Sequence, residues 1–139
     1  MDFKVLAVGD VVGNPGLDRV RRRLRQLKRK TGADFAVVNG ENAAVVGLLP
    51  HQAEDILDAG ADVITLGNHS FAKREICDYL EESRRILRRP EGLPHVKGKG
   101  AAFMGNAKRP QLRAGLGEGE ARKRRFPQRK AVGLPVLFQ

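Results

Sequence analysis

Three observations predict an α/β fold with a parallel sheet covered by helices. Short apolar runs at Val5–Val8, Phe35–Val38 and Val63–Leu66 are each followed within two residues by a glycine. Longer stretches with apolar residues at helical spacing lie between them. The two kinds alternate as β-α-β-α-β-α to about residue 88, a spacing that favours parallel strands joined by right-handed crossovers.

The first run, Val5-Leu6-Ala7-Val8, is four residues long, and β-branched or aromatic residues recur in all three runs, as in strands buried on both faces. So short a span does not exclude helix by periodicity alone. The bounding Gly9, Gly40 and Gly67 argue for strands that end in turns. After the first run, Asn14 followed by Pro15 predicts an N-cap and first helical turn. Leu17, Val20, Leu24 and Leu27 then recur on one face with basic residues opposite, and Gly32 can stop the helix. A second helix is expected from Pro50 to Gly60 with Ala53, Ile56 and Leu57 inward. A third, after Ser70, would set Ile76, Leu80, Ser83 and Leu87 along one stripe. Beyond Pro90 the pattern fades, although Ala101–Met104 could form a further short strand. The organisation expected is therefore one domain over residues 1–103 and a basic, weakly ordered tail over 104–139.

A chain of 139 residues that is 41% hydrophobic can bury one ordinary core. No apolar run approaches the roughly 20 residues that span a bilayer, so no membrane partner is expected. The N-terminus lacks the pattern of a secretory signal, and a single cysteine, Cys77, rules out an intrachain disulfide framework. A cytoplasmic location fits these features best. The net charge of +10 is unevenly distributed. Residues 1–90 hold 15 basic against 13 acidic residues, whereas 91–139 hold 11 against 3. Most of the excess that could attract a nucleic acid therefore lies in the last third.

The strand ends carry the chemistry. The first gives Gly9-Asp10, the second Asn39-Gly40-Glu41-Asn42, the third Gly67-Asn68-His69. In a parallel sheet these carboxyl ends share one edge, where ligands of open α/β sheets bind. Two carboxylates at close range repel unless a positive charge sits between them. A divalent cation held by oxygens of Asp10, Glu41 and Asn68, with the imidazole of His69 nearby, resolves that conflict. Such a donor set suits Mn²⁺, Fe²⁺ or Mg²⁺ better than a thiolate-loving ion. Taken singly, a Gly-Asp or Asn-Gly is most often a turn and a lone histidine most often a hydrogen-bonded one. The coincidence of all three at equivalent places favours a site. Competing phosphate motifs fail: Gly9, Gly13 and Gly16 have the wrong spacing for a dinucleotide loop, and no Gly-Lys-Ser/Thr occurs.

Together "GDVVGNPG" (9–16), "NGENAA" (39–44), "DVITLGNHSFAKREI" (62–76) and "RPEGLP…GKG" (89–100) resemble the calcineurin-like metallophosphoesterases, specifically the bacterial branch described as 2′,3′-cyclic-nucleotide 2′-phosphodiesterases. The resemblance covers residues 3 to about 103 and implies the first half of an αββα sandwich. It implies two divalent metal ions (Mn²⁺, Fe²⁺ or Mg²⁺), with Asp10 on one, Glu41 bridging both and Asn68 on the second. Asn42 would contact metal or phosphate, and His69 would stabilise the phosphate or protonate the leaving oxygen. The implied substrate is a 2′,3′-cyclic nucleotide or a related phosphodiester.

The sequence also departs from the family. Its histidines are His51, His69 and His95, and none forms the late Gly-His-x-His element that completes the family's site. Val45-Val46-Gly47-Leu48-Leu49 stands where a glycine-rich run is expected, Phe71-Ala72 where an aromatic-acid pair is expected, and Leu17 where the family tends to carry arginine. These departures lead to the expectation of a truncated, impaired phosphodiesterase with weak or incomplete metal binding, so that lineage and activity are separate questions. Two other classes fit parts of the chain. A basic nucleic-acid-binding module would bind RNA weakly, using such runs as Arg122–Arg125 of the tail. A non-catalytic assembly domain would self-associate through a sheet face left without its second layer.

Overall fold

The computed structural model describes residues 2–88 with their side chains and the backbone of residues 101–106 and 109–115. In chain order the elements are β1 (Val5–Val8), α1 (Gly13–Thr31), β2 (Phe35–Asn39), α2 (Pro50–Asp58), β3 (Val63–Thr65), α3 (Ile76–Glu82), β4 (Ile86–Leu87), β5 (Ala101–Asn106) and β6 (Arg109–Gly115). The first four strands form a parallel sheet in the order β1-β2-β3-β4, with Val5 opposite Phe35, Val37 opposite Val63 and Ile64 opposite Ile86. β5 and β6 pair antiparallel, with Phe103 opposite Arg113. The α/β class and parallel sheet expected from the sequence are present.

A sheet whose strands follow chain order, joined by crossovers of one hand, keeps its helices on one face. The core shows this. Leu6 and Val8, Ala36 and Val38, and Ile64 and Leu66 pack with Leu17, Val20 and Leu24 of α1, Ala53 and Ile56 of α2, and Ile76 and Leu80 of α3. Each such side chain, fully buried, contributes about 1.5–3 kcal/mol when it is as large as Val or Leu. The intervening strand positions point to the opposite face, where Phe35, Val63 and Leu87 cluster with Phe3 and Val37.

Two local expectations need correction. Asn14 is not the N-cap of α1; Val12 is, and Gly13 opens the helix at φ 58°. The chain runs beside β2 a little longer than its pattern suggests, because Val12 bridges Asn42 and the Gly13 N–H donates to the Asn42 carbonyl at 2.9 Å. Pro15 still falls in the first turn, where its missing N–H costs nothing. The third helix does not reach Leu87. It ends at Glu82, Ser83 turns to an extended conformation (φ −69°, ψ 131°), and Ile86–Leu87 become β4. Pairing with β3 wins because it satisfies backbone groups of a buried dipeptide: the Ile64 N–H donates to the Arg85 carbonyl and the Leu66 N–H to the Leu87 carbonyl, both at 2.8 Å. Arg85 locks the junction by donating to the carbonyls of Asp62 and Ala61.

Gly32 ends α1 in the left-handed region, as expected, and α2 stops at Asp58, two residues before Gly60. His51 is exposed at the start of α2, and Cys77 lies half-buried on α3. His95 and the basic run Arg122–Arg125 lie outside the described residues. Among the described residues, no helix is long and apolar enough to cross a membrane.

Candidate functional site

β1, β2 and β3 run parallel, so the turns that follow them meet at one sheet edge. Backbone bonds fix how they meet. The Val11 N–H donates to the Asn39 carbonyl at 3.1 Å, the Gly13 N–H to the Asn42 carbonyl at 2.9 Å, and the Gly40 N–H to the Thr65 carbonyl at 3.1 Å. The first turn is thereby stitched to the second, and the second to the end of β3.

The side chains then form a connected row. Asn42 Nδ2 donates to Asp10 Oδ1 at 2.9 Å and to Oδ2 at 3.1 Å, while Asn42 Oδ1 lies 2.8 Å from His69 Nδ1. One amide therefore joins residues that follow three different strands. A carboxylate oxygen accepts, so Asp10 orients the amide with its NH₂ toward the carboxylate and its oxygen toward the imidazole. The Asn42 oxygen can accept only from a protonated Nδ1, which leaves Nε2 as the outer nitrogen of His69.

Glu41 sits beside this row. Its backbone N–H donates to Asn39 Oδ1 at 3.2 Å, and its carboxylate lies over the backbone of Gly67. Oε2 is buried and has no hydrogen-bond partner among the described residues. An orphaned anionic oxygen of this kind is costly, and a bound cation is one of the few partners that would satisfy it. Asn68 is exposed in the same turn, next to His69. Of the five residues singled out in the sequence, Asp10, Asn42 and His69 are in direct contact, Glu41 is adjacent in the chain to Asn42, and Asn68 shares the third turn.

Among the described residues, no group of three or more His, Cys, Asp or Glu side chains is arranged to hold a metal ion by itself. The carboxylates of Asp10 and Glu41, with the orphaned Oε2 of Glu41, are hard oxygen donors of the kind that suit a divalent cation.

Sequence reasoning missed the supports. Gln52 is buried near the start of α2; its Oε1 accepts from the Leu49 N–H at 3.2 Å and its Nε2 donates to the Ala43 carbonyl at 3.1 Å. It pins the loop carrying Glu41 and Asn42 to α2. A glutamine three residues after a helix boundary was the available signal. Ser70, also buried, donates from Oγ to the Gly67 carbonyl at 2.6 Å and closes the turn under Asn68 and His69.

Known proteins resemble this chain in sequence and in fold. The model of the YmdB-like protein family matches residues 6–117. The 2′,3′-cyclic-nucleotide 2′-phosphodiesterase of Bacillus subtilis (strain 168) is 40% identical over 106 residues, which cover 73% of this chain and 39% of that protein. A crystal structure of a hypothetical protein from Thermus thermophilus superposes with a TM-score of 0.69 at 32% identity, covering 78% of this chain and 42% of the other. A novel phosphatase from Mycoplasma pneumoniae gives the same TM-score, 0.69, at 28% identity, covering 81% of this chain and 42% of the other. The chain thus spans about two-fifths of the length of these relatives. With a family match across most of its length, the chain belongs to the YmdB-like family of the metallophosphoesterase superfamily.

Proposed function

We propose that these strand ends form part of a metal-dependent phosphodiesterase site acting on 2′,3′-cyclic nucleotides or related phosphodiesters. The observation that carries the reading is the Asp10–Asn42–His69 row beside a Glu41 oxygen that is buried without a partner. The relative from Bacillus subtilis, named for that reaction, supports the substrate class.

Asp10, Glu41, Asn42 and Asn68 would hold the divalent cations. When bound, such ions neutralise phosphoryl charge and act as Lewis acids. His69 serves the leaving group. With Nδ1 committed to Asn42, its Nε2 is the nitrogen available to a substrate, and in the protonated ring Nε2 donates to an oxygen that develops negative charge. Asn42 holds the ring in that orientation, and Asp10 holds Asn42. The fixed row keeps the imidazole placed before substrate arrives, which lowers the cost of reaching the productive geometry.

Hydrolysis of 2′,3′-cyclic AMP by the purified chain with added Mn²⁺ tests the reading. Only slow turnover is expected, in keeping with the impaired site that the sequence departures imply, and His69→Ala should reduce it further, by about 10²- to 10⁴-fold. Asp10→Ala is expected to abolish the Mn²⁺ dependence. Turnover no higher in the unmodified chain than in the two variants overturns the assignment.

A further inference from the structure

We infer that Gly67 is a positioning residue whose missing side chain creates the space occupied by the Glu41 carboxylate. The inference rests on the proposed metal-binding role of Glu41. A Cβ at Gly67 would lie 2.2 Å from Glu41 Oε2, 2.8 Å from Cδ and 2.9 Å from Oε1. Non-bonded carbon and oxygen do not approach so closely, and the overlap involves the whole carboxylate rather than one atom.

The backbone does not demand glycine at this position. Gly13, Gly32, Gly47 and Gly60 have positive φ, and Gly67 does not. Other glycines of the strand ends answer to different neighbours. A Cβ at Gly9 would meet nothing within 4 Å, and one at Gly40 would press on the core side chains Ile64 at 3.0 Å and Ile56 at 3.3 Å. Gly67 alone among these three is shaped by an ionisable group.

Both walls of the space are fixed. Ser70 anchors the Gly67 carbonyl through its Oγ at 2.6 Å and its N–H at 3.3 Å. On the other side, the Glu41 N–H is held by Asn39 Oδ1 and the Gly40 N–H by the Thr65 carbonyl. A methyl group at residue 67 would therefore move the only free part, the Glu41 carboxylate, out of its buried position. That position, with Oε2 lacking a partner, is the one a cation would use. Gly67 thus acts on the ion through Glu41, without touching it.

Calorimetric titration with Mn²⁺ tests this on the unmodified chain, Gly67→Ala and the open-space control Gly9→Ala. Gly67→Ala is expected to weaken Mn²⁺ binding by about 10-fold or more, the loss typical when a supporting contact of a ligand is removed. Gly9→Ala should bind as the unmodified chain does. Equal affinity in Gly67→Ala and the unmodified chain overturns the inference while leaving the metal site standing. An unmodified chain that binds no Mn²⁺ overturns the metal reading and this inference with it. Thermal unfolding without metal separates the steric cause from a folding defect. In a Glu41→Ala background, adding Gly67→Ala should leave the midpoint unchanged, because the Cβ then enters space the carboxylate has vacated. A further drop in that background shows that glycine is needed for another reason and rejects the assignment.

Discussion

Val45 is the only non-glycine residue with positive φ among the described residues, at 68°. A β-branched side chain in the left-handed region is strained by roughly 1–2 kcal/mol, because its Cβ crowds the following carbonyl. The strain is held in place by a turn: the Val45 N–H donates to the Asn42 carbonyl at 2.8 Å, one residue beyond Glu41. Burial offers little in return, since Val45 is 67% exposed. Val45→Gly removes the strain at the cost of about 0.5–1 kcal/mol in unfolded-chain entropy. The variant should therefore unfold at a temperature a few degrees higher, measured by circular dichroism. A midpoint at or below that of the unmodified chain would show that the valine packs more usefully than its exposure suggests. Nothing in the sequence exposes this conformation. Val45 is legible only as a departure from the glycine-rich run that the resemblance leads one to expect, and its φ is set by the loop that follows Asn42. The same holds for Gly67, which reads as an ordinary turn glycine until Glu41, 26 positions earlier in the chain, is found against it. Asp10, Glu41, Asn42, Asn68 and His69 were legible together because chain order in a parallel sheet is enough to place strand ends on one edge.

At the scale of elements, α1 shows why a basic helix need not be a binding face. Lys28 pairs with Asp62, whose Oδ2 also accepts from the Ala36 N–H at 2.7 Å, so the end of α1 is tied to β2 and to the entry of β3. Arg25 donates to the Asp58 carbonyl, and Arg21 lies 3.3 Å from Asp55 on α2. Arg19, Arg22 and Arg29 are exposed on the same helix. Lys28→Ala should therefore cost about 1 kcal/mol, a figure reduced for the partial exposure of the pair. Arg22→Ala and Arg29→Ala should stay within about 0.5 kcal/mol of the unmodified chain. Urea unfolding of the three variants checks the contrast, and equal losses would mean the ion pair does not hold the helix. The amphipathic pattern of α1 was plain in the sequence, and its structural cations were not, because their partners lie 32 to 34 residues away. The α3–β4 region failed for a different reason. Leu87 continues the stripe of Ile76, Leu80 and Ser83 at helical spacing, and a two-residue strand is too short to show its own period. Only the pairing partner β3 decides it.

For the whole molecule, the site and the fold are coupled by where the proposed ligands lie. Asp10 follows β1, Glu41 and Asn42 follow β2, and Asn68 follows β3, so one ion cluster would span three βα junctions of the sheet. Unfolding separates these junctions and destroys the donor set, so an ion that binds only the folded chain must stabilise it. At a free Mn²⁺ concentration of 100 times Kd, the gain is about 2.7 kcal/mol. Spread over a chain of this size, that corresponds to a rise of several degrees in Tm, reversed by a chelator. Asp10→Ala and Glu41→Ala should both abolish the rise, although their residues sit on different strands and approach the site from different turns. A surface ion held by scattered carboxylates would instead raise Tm equally in both variants, and that result would remove the ion from the sheet edge. Loss of the rise in Glu41→Ala alone would assign the ion to the second turn and leave Asp10 as the anchor of Asn42 and, through it, of His69.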